Sequence, residues 1–391
     1  MSSSSRPIHR AIQIALRRDL DAKLVLLSGP RQTGKTTLAR SLYAQHVYFN
    51  YDLAEHRLRL KARDWDRELA LVVFDELHKM RQWKRWLKGI YDTEDKRPRL
   101  LVTGSAKLDS LRKVGDSMAG RFFRHRLHPF DLKELTTVLP PEKAAIELDT
   151  LMRLGGFPEP LLSGSEAFAR RWQRSHLDII LRQDLLDLEQ VRDIQSIETL
   201  VALLQERVGS PVSYASLARD LQRDPKTVKR WLLLLENLFV VFAVRPYHRN
   251  VARAILREPK YYFYDVTRVR GTAGARFENV VACALLKELH RLEDQGGWRG
   301  ELCFLRTKEG REIDFLCRLE EHPPCMIEVK ESDPQPSKHF AHFKRFVPDA
   351  RMVQLVRKLE QARSLPHGLR IEPAGDWLTR VPIFPEAETA A

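Results

Sequence analysis

The residues from 29 to 36 have the types and the spacing of a phosphate-binding loop. They fit the pattern G-x-x-x-x-G-K-[ST], with Thr37 next, and read Gly29-Pro30-Arg31-Gln32-Thr33-Gly34-Lys35-Thr36. Glycines in such a loop let backbone N–H groups face an anion, the lysine reaches the β- and γ-phosphates, and the last hydroxyl can hold Mg²⁺. An apolar run at 23–28 precedes the loop and a helical pattern at 37–43 follows it. This strand–loop–helix context predicts that the loop and Thr37 bind a nucleotide such as ATP, together with Mg²⁺.

Two acidic residues lie where the chemistry of a bound triphosphate would need them. Asp75 and Glu76 end an apolar run at 69–74. An acid at the tip of a strand beside the loop can bind Mg²⁺ through water, and the next acid can act as a general base on the attacking water. Alternatively, the pair caps a helix predicted at 77–91. Ser105, which ends another apolar run, could help to position that water and could also be a helix N-cap.

The elements that must position these residues alternate between strands and helices. A helical pattern at 8–20 comes first, and helical segments separate the apolar runs that follow it, which lie at 23–28, 46–52, 69–74 and 99–105. Alternation of this kind predicts an α/β fold with a parallel, doubly wound sheet and a ligand at the carboxyl ends of its strands.

Three motifs together resemble those of AAA+ ATPases, and more narrowly of prokaryotic AAA+ proteins with a C-terminal domain of unknown function. They are the loop at 29–36, Val72-Val73-Phe74-Asp75-Glu76 and Thr103-Gly104-Ser105. The resemblance implies ATP hydrolysis, a sensor-1 role for Ser105 and a helical lid over the nucleotide.

The same resemblance draws attention to Arg121. An arginine in this region of AAA+ proteins can act as a finger on the nucleotide of a neighbouring subunit, because its guanidinium stabilises charge spread over the γ-phosphoryl group. This would make the protein a homo-oligomer with a finger in trans. Alternatively, Arg121 is a surface residue of an arginine-rich segment.

The middle of the chain has the order of a winged helix-turn-helix. A short helix at 213–221, a turn at 222–224, a helix at 225–236 and a strand or hairpin at 239–247 follow one another. The basic start of the second helix could contact phosphates or base edges of double-stranded DNA through Lys226, Thr227, Lys229 and Arg230. Alternatively, the module packs between domains and its basic residues are solvated.

The C-terminal region carries a possible second site. In the strand pattern at 325–330, Glu328 and Lys330 share one face, and Asp314 joins them if its strand is the neighbour. Two carboxylates and a lysine could hold Mg²⁺ and steady a phosphodiester. The spacing Asp-x(13)-Glu-x-Lys, with Glu278 on an upstream helix, resembles the PD-(D/E)xK nuclease superfamily. That resemblance implies a restriction-endonuclease-like α/β domain, which could bind DNA with or without cleaving it, whereas E-x-K alone is also a common solvated charge pair.

Composition limits the class of protein. Of 391 residues, 43% are hydrophobic and 30% charged, which is typical of a multidomain globular chain. An excess of 66 Lys+Arg over 52 Asp+Glu favours an anionic partner such as nucleic acid, although an arginine-rich solvated surface would give the same excess. The four cysteines form no C-x-x-C pair, and neither a secretory leader nor a membrane-spanning run is evident, so we expect a cytoplasmic protein with no membrane partner.

We therefore predict four regions: an AAA+ P-loop ATPase core at 1–139, a helical lid at 140–192, a winged helix-turn-helix at 193–250 and a nuclease-like domain at 251–391. The predicted function is ATP hydrolysis coupled to DNA binding. Two alternatives stay open: a nucleotide-gated switch that binds a partner protein, and an ATP-dependent, Mg²⁺-dependent DNA nuclease.

Overall fold

A computed structural model describes residues 10–93, 98–104, 118–136, 144–184, 193–248 and 258–385. The chain forms two compact units, which divide after His128. Ser105 lies outside the described residues.

The first unit is built on a parallel five-stranded sheet in the order β2-β3-β4-β1-β5. Its strands are β1 (Leu24–Ser28), β2 (His46–Asn50), β3 (Leu71–Asp75), β4 (Arg99–Gly104) and β5 (Phe122–Arg126). Its helices are α1 (Gln13–Ala22), α2 (Lys35–Ser41), α3 (Ala54–Ala62) and α4 (Trp83–Tyr91). The parallel α/β architecture predicted for this region is confirmed.

Both faces of this sheet are covered, which explains why its strands are continuous apolar runs. On β1, Leu24 and Leu26 pack into one core, while Val25 and Leu27 pack into another on the opposite face. The predicted helix at 77–91 is interrupted, because a 3-10 turn at Leu77–Lys79 is separated from α4 by Gln82, whose φ of 60° is left-handed.

The second unit begins with helices. These are α5 (Leu132–Leu135), α6 (Ala144–Leu154), α7 (Pro158–Ser163) and α8 (Glu166–Ile179), which continues as a π-turn at Ile180–Asp184. The next three are α9 (Ile194–Gln205), α10 (Tyr214–Leu221) and α11 (Pro225–Asn237).

A mixed sheet forms the rest of the second unit, in the order β12-β13-β11-β10-β9-β8-β6-β7. Its strands are β6 (Val241–Pro246), β7 (Lys260–Phe263), β8 (Gly300–Arg306), β9 (Glu312–Leu319), β10 (His322–Lys330), β11 (Arg351–Val356), β12 (Arg363–Ser364) and β13 (Leu369–Pro373). The helices here are α12 (Ala273–Gly296), α13 (His339–Lys344) and α14 (Ala374–Leu378), with 3-10 turns at Val266–Arg268 and Pro366–Gly368.

The β6–β7 pair joins the two predicted C-terminal regions. β6 pairs with β7 in antiparallel fashion and with β8 in parallel, so residues on both sides of the predicted boundary at 250 share one sheet. Within the described part of the chain, every helix is too short or too polar to cross a membrane.

Candidate nucleotide site and C-terminal carboxylate cluster

The phosphate loop leaves β1 through a conformation that only glycine allows. Gly29 has a φ of 151°, and a Cβ atom there would lie 2.3 Å from the carbonyl oxygen of Leu127. The loop also passes through left-handed conformations at Gln32 and Gly34 before α2 begins at Lys35. Consecutive left-handed and right-handed residues turn backbone N–H groups toward one point, which is the geometry of an anion-binding nest.

Polar contacts hold this loop from within. The Lys35 ammonium donates to the carbonyl oxygens of Gly29 (2.8 Å) and Pro30 (2.7 Å). The Thr33 hydroxyl also donates to Pro30, and the buried Arg10 guanidinium donates to the Thr33 carbonyl at 2.9 Å. The contact of Arg10 with the loop could not be predicted from the sequence, because Arg10 belongs to no recognisable motif. Of the other predicted nucleotide-binding residues, Arg31 and Thr36 are half-buried, whereas Gln32 and Thr37 are exposed.

Asp75 lies at the carboxyl end of β3, where hydroxyl groups from three neighbouring elements meet it. The Thr36 hydroxyl donates to Oδ2 at 3.2 Å and the Thr103 hydroxyl donates to Oδ1 at 2.6 Å. The Tyr48 hydroxyl also donates to Oδ2. Register explains the meeting, because Asp75 pairs with Thr103 on β4 and Tyr48 lies on the other neighbouring strand, β2. Thr36 and Asp75, both predicted Mg²⁺ ligands, therefore converge, and their oxygens suit that ion.

Glu76 is an acid held in a strained and mostly buried position. Its backbone is left-handed with a φ of 54°, a conformation that costs a non-glycine residue free energy and that clusters at functional sites. Burial, followed by the charge of Asp75, raises the pKa of Glu76 from 4.5 to about 7. Among the described residues its Oε2 accepts no hydrogen bond, and His78 Nε2 lies 3.4 Å away. A carboxyl with this pKa is suited to accept a proton near neutral pH.

Arg121 lies far from the phosphate loop of the same chain. It precedes β5, whose Phe122 is level with Leu24 at the start of β1, whereas the loop leaves the other end of β1 after Ser28. Four residues of strand separate these levels by about 13 Å. The Arg121 guanidinium forms an ion pair with Asp92 at 2.7 Å on the partly exposed surface.

The middle of the second unit contains the helix, turn, helix and strand predicted at 213–247. Helices α9, α10 and α11 are followed by the β6–β7 hairpin, and a single bridge joins Pro211, between α9 and α10, to Lys260 on β7. The Asp224 carboxylate caps α11 by accepting from the Lys226 backbone N–H at 2.7 Å. Lys226, Lys229 and Arg230 are exposed on α11, while Thr227 is half-buried.

The predicted C-terminal site residues do come together. Glu278 lies near the start of α12, Asp314 is on β9, and Glu328 and Lys330 are on β10, the neighbour of β9. The Lys330 ammonium contacts Glu328 Oε1 at 2.7 Å, and the Val329 backbone N–H donates to Asp314 Oδ2 at 2.9 Å.

Lys260 is a further member of this cluster that the sequence did not reveal. Its side chain is fully buried, and its ammonium lies 2.6 Å from Glu312, 3.4 Å from Glu278 and 3.8 Å from Asp314. Burial alone would lower the pKa of Lys260, but the charges of Glu278, Asp314 and Glu312 together raise it above its ordinary value.

Three carboxyl groups of the cluster, those of Glu278, Asp314 and Glu328, have raised pKa values. Burial, followed by the charge of Asp314, raises the pKa of both Glu278 and Glu328 from 4.5 to about 7. Burial also raises the pKa of Asp314. Within the described ranges, no three His, Cys, Asp or Glu side chains are arranged to hold a metal ion.

Three family models match successive parts of the chain. Residues 21–136 match a model described as an AAA domain. Residues 146–273 and 273–381 match two models described as domains of unknown function, DUF8612 and DUF4143. The first match supports the predicted AAA-type domain and nucleotide binding.

Similar proteins occur in distant organisms. An uncharacterized protein of Mycobacterium tuberculosis, Rv2008c, is 28% identical over 332 residues, which cover 79% of this chain and 70% of that protein. An uncharacterized protein of Methanocaldococcus jannaschii, MJ1544, is 22% identical over 355 residues, or 81% and 76% of the two chains.

One solved structure overlaps weakly. It is a signal transduction ATPase with numerous domains and a tetratricopeptide repeat sensor from Pyrococcus horikoshii, 14% identical, with a TM-score of 0.21. The match covers 73% of this chain but only about half (48%) of that structure.

Proposed function

We propose that the first unit binds ATP and hydrolyses it. The observation that carries this proposal is the convergence of Thr36, Asp75 and Thr103 beside the phosphate loop, with Glu76 next to them in a strained, mostly buried position. Glu76 is the base in this proposal, because a carboxyl with a pKa near 7 can take a proton from water at neutral pH.

The remaining residues bind and orient the triphosphate. The Lys35 ammonium exchanges its loop carbonyls for phosphate oxygens, and the backbone of 29–34 faces the same group. Thr36 and Asp75 would hold Mg²⁺, which supplies charge neutralisation on the phosphates when it is bound. Thr103 and Tyr48 fix the Asp75 carboxylate in place. Ser105 remains the proposed residue that positions water.

Two substitutions separate binding from hydrolysis. Lys35→Ala is expected to abolish binding of a fluorescent ATP analogue, whereas Glu76→Gln is expected to keep binding and lose phosphate release. Equal phosphate release by Glu76→Gln and the unchanged protein would refute the assigned base.

Arg121 is proposed to act on the nucleotide of a neighbouring copy. The distance along the sheet from its own loop supports action in trans, and release from Asp92 would free the guanidinium. Arg121→Ala and Lys35→Ala should each be inactive alone. Mixing them should restore part of the turnover, because one copy keeps the loop and the other keeps the finger. No recovery, in a mixture shown to co-assemble, would contradict the finger in trans.

Duplex DNA is the proposed partner of the second unit. The observation that favours it is the order of α9, α10 and α11 followed by the β6–β7 hairpin, with a bridge from the α9–α10 connection to β7. Lys226 and Lys229 are exposed on α11, the helix that would enter a groove. ATP turnover is then expected to rise with duplex DNA and to lose that rise steeply with added salt. ATP turnover that is the same with and without DNA would instead favour a nucleotide-gated switch that binds a protein partner.

A further inference from the structure

A buried lysine occupies the middle of the C-terminal carboxylate cluster. Lys260 lies on β7, the second strand of the hairpin that follows α11, and its side chain is 0% exposed. Its ammonium lies within 3.8 Å of carboxylate oxygens from Glu278, Glu312 and Asp314. These three residues come from α12 and β9, so the lysine connects three separate elements.

Further protein donors contact the same three carboxyl groups. The Tyr262 hydroxyl donates to Glu278 Oε1 at 2.6 Å, and Arg306 donates to Glu312 Oε2 at 2.6 Å. Asp314 Oδ2 accepts from the Val329 backbone N–H. These oxygens would have to exchange their present hydrogen bonds to ligate an ion.

The charges of the cluster also disfavour a bound divalent ion. Four carboxyl groups, from Glu278, Glu312, Asp314 and Glu328, face three cations, from Lys260, Arg306 and Lys330, so at most one negative charge is uncompensated. Mg²⁺ needs about six oxygen ligands and is attracted by uncompensated negative charge. Among the described residues, Glu328 Oε2 is buried and accepts no hydrogen bond, whereas Glu278, Glu312 and Asp314 all contact the Lys260 ammonium. A divalent ion among those three carboxyl groups would lie against a fixed ammonium that repels it.

Backbone contacts surround Glu278 on α12. Asn279, the neighbour of Glu278, accepts from the Phe263 N–H at 2.8 Å and donates to the Phe263 carbonyl at 2.7 Å, which fixes β7 against α12. Gly209, with a φ of 78°, lies so close that a Cβ atom there would be 2.7 Å from Glu278 Oε2. The backbone of β7 and the chain around Gly209 are therefore both held close to Glu278.

We propose that the Lys260 ammonium takes the place of a divalent metal in the C-terminal cluster. The nuclease-like site then serves as an ion network that fastens β7 to α12 and β9, and it neither binds Mg²⁺ nor cleaves DNA.

Mn²⁺ binding tests this proposal directly, because Mn²⁺ is paramagnetic and free Mn²⁺ can be counted by its resonance signal. The full chain without nucleotide is compared with Asp314→Asn and with Asp349→Asn, the same change at an exposed acid of the same unit. All three are expected to bind equal amounts of Mn²⁺. One Mn²⁺ per chain that is lost in Asp314→Asn and kept in Asp349→Asn would overturn the proposal.

Removing the lysine gives the opposite expectation. Lys260→Met uncovers three carboxylates and is expected to gain one Mn²⁺ per chain, which Lys260→Met combined with Asp314→Asn loses again. A folded Lys260→Met that gains no Mn²⁺ would show that this lysine is not what excludes the metal. If Lys260→Met does not fold, the comparison of Mn²⁺ binding by the unchanged chain and by Asp314→Asn still tests the proposal.

DNA cleavage provides an independent readout. Supercoiled DNA incubated with the unchanged chain and Mg²⁺ is expected to show no nicking beyond that seen with Asp314→Asn. Nicking that disappears in Asp314→Asn but persists in Asp349→Asn would overturn the proposal.

Discussion

Replacing Glu76 by glutamine is expected to stop ATP turnover and to stabilise the protein at pH 8. The pKa of this carboxyl is raised from 4.5 to about 7 by burial and by the charge of Asp75. The stability that its protonated form contributes is therefore present below about pH 4.5 and lost as the pH rises through about 7. At about 1.4 kcal/mol per pKa unit, the ionised carboxyl costs the folded protein about 3 kcal/mol at pH 8. Glutamine has a similar shape without the charge, so it avoids most of that cost.

Two measurements check this prediction together. Phosphate release should fall about 10²–10⁴-fold, which is the usual contribution of a positioned general base. Urea unfolding should show a free energy about 1–3 kcal/mol higher than that of the unchanged protein at pH 8, and a smaller gain at pH 5. Glu55→Gln, at an exposed acid on α3 of the same unit, is the control and should change neither quantity. Unchanged turnover would refute the role of Glu76 as base, and lower stability at pH 8 would refute the argument from burial.

Three further variants test other parts of the chain. Gly29→Ala is expected to abolish binding in a fluorescent-nucleotide titration, because its Cβ would lie 2.3 Å from the Leu127 carbonyl oxygen, and normal affinity would contradict this clash. Lys226→Ala with Lys229→Ala should reduce the slope of log affinity for duplex DNA against log salt by about two, and an unchanged slope in anisotropy titrations would exclude phosphate contact. Burial raises the pKa of Glu236 above 4.5, so stability from its protonated form is lost as the pH rises through the raised value. Glu236→Gln should therefore raise the unfolding free energy more at pH 8 than at pH 4, and equal gains at both would contradict this.

The first sheet was predictable because its strands obey a local rule. Parallel strands covered on both faces are continuous apolar runs, and the four runs predicted here match β1 to β4 within two residues at either end. The helix predicted at 77–91 was wrong in its extent, because the left-handed turns at Glu76 and Gln82 are set by tertiary packing and not by periodicity. The distance of Arg121 from the phosphate loop of the same chain could not be predicted, because it depends on the register of the edge strand β5 with β1.

The polar contacts of the sites were harder to predict than the motifs. Tyr48 looks like an ordinary strand residue, and only the parallel register of β2 with β3 brings its hydroxyl to Asp75. Lys260 begins an apolar strand, where a lysine usually marks a solvated strand end. Its burial results from the path of β7 past α12 and β9, and nothing in local sequence spacing encodes that path.

Lys260 also bears on the proposed coupling between ATP hydrolysis and DNA binding. The lysine lies on β7, which pairs with β6 directly after the helix that carries Lys226 and Lys229. Breaking a buried ion pair costs about 3–5 kcal/mol, because it leaves a charge without a partner. Separating β7 from α12 and β9 would break contacts to three carboxylates at once. We therefore expect the hairpin and the C-terminal sheet to move as one body. Under the proposed function, a conformational change driven by ATP would reorient α11 together with that sheet.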